Sequence, residues 1–105
     1  MFKLDPDPVF WSSVRLTVPG EAEPVGVEFQ FAHKSVDDLR GWMEEIKDRA
    51  ANDGTTIKQI VRGWRGVDAD FSEDAVVRLV KNYPAAAVEI VEQYLRALTE
   101  SRAKN

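Results

Sequence analysis

The sequence predicts an α+β fold, an N-terminal antiparallel β-hairpin followed by about four α-helices packed on it. Two observations carry this prediction. Apolar and polar residues alternate along two stretches between residues 8 and 33, and from Ser35 onward apolar residues recur at helical spacing. Turn residues and helix breakers then divide the chain where such elements should end.

The hairpin is read over 8–33. Phe10, Val14, Leu16 and Val18 share one parity, with Ser13, Arg15 and Thr17 on the other. Val25, Val27, Phe29 and Phe31 alternate in the same way with Gly26, Glu28 and Gln30. This pattern puts one face of an antiparallel pair on a core. The connection from Pro19 to Pro24 is charged and contains Gly20, as a surface turn should. Two strands alone are marginal in water, so their apolar face needs a cover.

Four helices are expected to supply it, over 35–53, 55–64, 72–82 and 84–101, with 102–105 as a frayed tail. Ser35 caps the first, Asp37 and Asp38 suit its positive end, and Val36, Leu39, Met43, Ile46 and Ala50 form its stripe. Asn52-Asp53-Gly54 stops it. In the second, Ile57, Ile60, Val61 and Trp64 lie at i, i+3, i+4 and i+7. Ser72 caps the third, with Phe71 and Val76 placed as a hydrophobic staple and Val76, Leu79, Val80 and Tyr83 facing inward. Pro84 suits the first turn of a new helix, whose stripe is Val88, Val91, Tyr94, Leu95 and Leu98.

A chain of 105 residues is the length of one domain, 1–105, and buries roughly 60–70% of its extended surface, enough for one modest core. Apolar residues make up 44% and charged residues 30%, a globular balance. With no cysteine there is neither a disulfide framework nor a thiolate metal site. No stretch has the length of a signal-peptide core or a membrane span, so the cytoplasm is the expected compartment. The net charge of −4 disfavours nucleic acid as the main partner, because phosphate binding calls for a concentrated basic face. By region the net charge is −3 over 1–33, +1 over 34–66 and −2 over 67–105, so none is strongly basic.

Catalytic constellations are missing from the pattern. His33 is the single histidine and falls at a strand end without convergent partners. Asp68-Ala69-Asp70, with Ser72 and Asp74, resembles a calcium loop, but Glu73 stands where glycine is needed and Leu79 where a bidentate glutamate is needed. Glu44-Glu45, and Glu89 with Glu92, read as solvated helix faces. No catalytic residue, metal ligand or cofactor is therefore expected, and the chain is read as not an enzyme. Arg62-Gly63-Trp64-Arg65-Gly66 has two readings. Trp64 completes the apolar face of the second helix, or Arg62, Trp64 and Arg65 stack on and pair with a nucleic acid.

Several pieces in order resemble the tail assembly chaperones of long-tailed bacteriophages and prophages. These are Leu4-Asp5-Pro6-Asp7-Pro8 leading into Phe10 and Val14, then the second strand from Val27 to Ser35, and the helix around Leu39 and Trp42. Val61 to Asp68, Phe71-Ser72 and Asn82-Tyr83-Pro84 complete the set. The resemblance implies a non-enzymatic, transient role: holding the tape-measure protein soluble, helping to recruit tail-tube protein, and leaving before the tail is complete. It also implies that some members exist in a longer, frameshifted form, and it supplies no catalytic residues.

A tape-measure protein presents long apolar helical stretches, and binding one calls for an exposed apolar or aromatic patch. Trp11 falls on the hairpin face opposite Val14 and Leu16, and Trp42 lies beside the main stripe of the first helix. Aromatics so placed either cover the edge of a small core or anchor an interface. Trp11 and Trp42 are the candidate partner contacts, and Arg62, Trp64 and Arg65 are the alternative set.

Overall fold

Both alternating stretches fold as strands, β1 (Val9–Leu16) and β2 (Val25–Ala32), paired antiparallel with Val9 opposite Ala32 and Leu16 opposite Val25. The computed structural model describes residues 1–47 and 54–100. Val14, Leu16, Val27, Phe29 and Phe31 are buried, as their parity predicts. The turn between the strands is closed by Glu21 N–H donating to the Val18 carbonyl across 3.0 Å.

A third strand, β3 (Val61–Arg65), lies antiparallel to β2 and gives the sheet order β1-β2-β3. This corrects the helix expected over 55–64: only α2 (Thr55–Lys58) is helical there, a single turn. The spacing that suggested a helix has another origin. Phe31 pairs with Val61 and Gln30 with Gly63, so Arg62 is the extra residue of a β-bulge. The bulge resets the alternation, and Val61 and Trp64, three apart, both face the core. Gly63 also weighs against a helix, where it costs about 1 kcal/mol relative to alanine. The Ile60 carbonyl accepts from Ala32 N–H at 2.8 Å and extends the pairing by a step.

Helix α1 (Val36–Lys47) is capped by Ser35, whose Oγ accepts from Asp38 N–H at 3.2 Å. Its buried side differs from the expected stripe. Trp42 is buried, with Leu39 and Ile46 half-buried beside it, whereas Val36 (68% exposed) and Met43 (40% exposed) face water. Both stripes have helical spacing. The structure chooses the one that buries the largest ring and gives its N–H a partner, the Gln59 side-chain carbonyl at 3.0 Å. The expected stripe residue Ala50, the stop at Asn52-Asp53 and the tail 102–105 lie outside the described residues.

Helix α3 (Glu73–Asn82) begins at Ser72, whose Oγ accepts from Ala75 N–H at 3.0 Å. It ends at Tyr83, held extended (φ −122, ψ 98) in front of Pro84, since a residue preceding proline is disfavoured in the helical region. Helix α4 (Ala86–Thr99) starts two residues later than expected, after a turn over Pro84 and Ala85. It buries Ala86, Ala87, Ile90 and Tyr94 and leaves Val88, expected inside, 48% exposed. The reason lies in Tyr94. Its ring packs on Phe31 (centroids 5.1 Å apart), on Trp42 (5.5 Å) and on Phe10 (6.3 Å), and this fixes the rotation of the helix. The result is an α+β fold in which helices pack on one face of a three-stranded antiparallel sheet.

Candidate protein-binding surfaces

Parity along the strands leaves the other sheet face in water. Trp11, Ser13 and Arg15 of β1, Glu28 of β2 and Arg65 of β3 are exposed there, with Gln30 half-buried. The register sets Trp11 opposite Gln30 and Gln30 opposite Gly63; one row on, Ser13 lies opposite Glu28 and Glu28 opposite Arg65. Gly63 has no side chain, and Gln30 lies over it, its Oε1 3.2 Å from where a Cβ would sit. Arg65 reaches across β2, placing its guanidinium carbon 3.8 Å from the centroid of the Trp11 ring, with Nη1 3.5 Å from Glu28 Oε2. Such a cation–π pair stiffens an exposed ring at little cost, worth about 0.5–1 kcal/mol at the surface. Trp11 is 40% exposed, a half-open aromatic surface with a cation on it.

Trp42 is placed differently. It is 4% exposed, on the core side of the sheet, edge-on to Tyr94 and hydrogen-bonded to Gln59. The fold does not bring the two candidate tryptophans together. The rim of Trp42 touches a shallow polar hollow that includes Asp38, Glu45 and Arg62.

The alternative set is dispersed. Arg62, at the bulge, donates through Nη1 to the carbonyls of Lys58 (3.2 Å), Gln59 (3.3 Å) and Val61 (3.3 Å), closing the end of α2. Trp64 faces the core, edge-on to Phe71 (5.3 Å) and Phe29 (6.4 Å), and its Nε1 donates to the Ala69 carbonyl at 2.9 Å. Arg65 points to the opposite face, over Trp11. No common surface presents all three.

A second surface had no reading in the sequence. Helix α4 packs along β1, and its Glu89 carboxylate accepts from both the N–H and the hydroxyl of Thr17. Glu89, expected as a solvated acid, is thus a link between helix and strand; Gln93 adds a second by donating to Ser12 Oγ at 3.2 Å. With α4 drawn to β1, the hairpin tip is incompletely covered. A cleft of about 450 Å³ opens between it and α3, lined by Leu16, Val18, Val25, Val67, Leu79 and Tyr83 among others. The only hint in the sequence was Val18 and Val25, apolar on either side of the turn and beyond the reach of a stripe one helix long.

Chemistry remains sparse. His33 is exposed at the end of β2, its N–H donating to the Pro8 carbonyl at 2.9 Å. Among the described residues no three His, Cys, Asp or Glu side chains cluster as a metal site requires. Asp68 and Asp70 are exposed in the loop before α3. Among the described residues one titration is displaced, for a structural reason: burial pushes the Tyr94 hydroxyl up to about 12, opposed by the nearby charge of Arg62. Among the described residues no helix is long and apolar enough to cross a membrane.

Comparison with known families matches residues 1–105, the whole chain, to the family described as phage tail assembly chaperone. No curated protein and no solved structure gives a match.

Proposed function

The chain belongs to the phage tail assembly chaperone family, and we propose that it acts without catalysis, by binding the tape-measure protein, the tail-tube protein or both and keeping them competent for assembly. The whole-chain family match is the observation that carries this reading. The compartment is the cytoplasm of the bacterial host, where tail proteins are made.

The sheet face around Trp11 is the contact surface we assign to the partner. A tryptophan under an arginine, flanked by Gln30 and Glu28, combines apolar area with hydrogen-bonding groups, the composition of interface anchors. Trp42, the other expected contact, is buried in this conformation and meets a partner only if α1 moves away from Tyr94. A nucleic-acid role has no observation in its favour, since Arg62, Trp64 and Arg65 point to separate surroundings.

Co-expression with a phage tape-measure protein tests the reading. The soluble fraction of that protein should rise and the two should co-purify. Tape-measure protein that stays equally insoluble beside folded chaperone, with no tube subunit recovered, would overturn it.

A further inference from the structure

The apolar face of the sheet runs on past the helices that cover it. Val25 shares its parity with the buried Val27, Phe29 and Phe31, yet it is 49% exposed, and Val18 across the turn is half-buried. Both line the cleft between the hairpin tip and α3, together with Leu79 and Tyr83. We propose that this cleft docks one amphipathic helix of another protein, a helix whose apolar stripe runs between an acidic and a basic flank.

The backbone around the cleft decides for a helix. On the sheet side, Leu16 and Val25 are already paired with each other. The Val18 carbonyl is taken by Glu21 N–H, and on α3 the Leu79 carbonyl accepts from Tyr83 N–H. A segment lying over this face therefore meets no open row of peptide groups, and each of its own left buried and unpaired costs about 1–3 kcal/mol. An extended segment leaves them unpaired, whereas a helix satisfies them internally. Helices cover the rest of this face, so a further one continues the same layer. A cleft of about 450 Å³ takes apolar side chains from one side of a helix rather than its whole girth, the i, i+3, i+4, i+7 mode of groove binding.

Charge sets the flanks. Asp68, before α3, and Arg78, on it, both line the cleft and are exposed. Among the described residues neither has an ion-pair partner. Opposite charges left unpaired around an apolar cleft favour the complementary pair, a basic group beside Asp68 and an acidic one beside Arg78. A helix charged with one sign only meets a like charge at one of them. At exposed positions each such pair changes affinity by about two- to fivefold, so the flanks select the helix while its apolar side chains supply most of the binding.

The cleft lies on the core side of the sheet, and Trp11 on the other. The proposal is thus separate from the contact assigned to the tail protein and does not rest on it.

An NMR titration of the full chain tests it, because Trp64 lines the cleft and Trp11 reports on the opposite face. The probes are synthetic helical peptides of roughly 14 residues, about four turns, each with a leucine stripe. One peptide has a glutamate flank and a lysine flank, the second two lysine flanks, the third two glutamate flanks. The mixed peptide should shift the signals of Trp64, Val25 and Leu79, leave Trp11 in place, and bind about two- to fivefold tighter than either of the others. Arg78→Glu, at an exposed helix position, should reverse that order in favour of the lysine peptide. Val25→Glu should abolish binding of all three in a chain that still melts cooperatively. No shift at Trp64 with any peptide, or one affinity for all three in both wild type and Arg78→Glu, overturns the proposal. Shifts centred on Trp11 move helix binding to the other face, and Trp64 signals that move when the free chain is diluted give the cleft to a second copy; either result overturns it too.

Discussion

The Tyr94 hydroxyl donates to the Ala32 carbonyl across 2.7 Å, joining the middle of α4 to the last residue of β2. Both groups are buried, and the Tyr94 ring touches Phe10, Phe31 and Trp42. Removing only the hydroxyl, by Tyr94→Phe, leaves a buried carbonyl short of a donor and should cost about 1–2 kcal/mol in urea unfolding at neutral pH. The pH dependence gives a second signature. The folded-state value lies near 12 against an ordinary 10.0, so the folded chain holds the phenol proton more tightly than the unfolded one. That contribution is fully present below pH 10 and is lost as pH rises towards 12. The stability gap between wild type and Tyr94→Phe should therefore narrow over that window, and a constant gap would show that Tyr94 is not buried as described.

Glu89 fastens the N-terminal turns of α4 to the end of β1 through two hydrogen bonds from Thr17. A carboxylate accepting at a partly exposed site is worth about 1–2 kcal/mol. Glu89→Ala should lower stability by that amount, and Thr17→Val, which keeps the backbone donor, by less. Chemical denaturation of the two single variants and the double variant measures the coupling. Strict additivity would mean that the link is not formed in solution.

Gly54 precedes α2 in the left-handed region, φ 79, with Val77 Cγ2 3.1 Å from where a Cβ would sit. Backbone strain and close approach act together, so Gly54→Ala should destabilise by more than about 1 kcal/mol. Thermal melts read this directly, at about 4–8 °C per kcal/mol for a domain near this size. An unchanged melting temperature would place the turn in another conformation.

Much of this architecture could be read from the chain, for physical reasons that also mark the limits. Alternation from Ser13 to Thr17 and over 25–32 has one reading, and the hairpin follows from it. Ser35 and Ser72 are local signals, and both cap as expected. Periodicity fails where two solutions share it. The bulge at Arg62 gives a strand the i, i+3 spacing of a helix, and α1 and α4 each carried two stripes, between which Trp42 and Tyr94 decided through partners distant in sequence. The same limit applies to the candidate surfaces. Trp11 follows from parity alone and is exposed, whereas the burial of Trp42 depends on Gln59 and Tyr94, and the cleft depends on where α3 comes to rest beside the hairpin tip.

These different settings of Trp11 and Trp42 make the last prediction. Trp42 is enclosed and hydrogen-bonded, so Trp42→Ala should cost about 3–5 kcal/mol and leave little folded protein at 37 °C. Trp11 loses only its surface contact with Arg65, so Trp11→Ala should stay within about 1 kcal/mol of wild type. If the sheet face is where a tail protein binds, this well-folded variant should lose co-purification with the tape-measure or tube protein. Arg65→Ala, which frees the ring from its cation, should weaken capture less than loss of the ring itself. Capture undiminished in Trp11→Ala, with its melting temperature unchanged, would move the partner surface away from this face of the sheet.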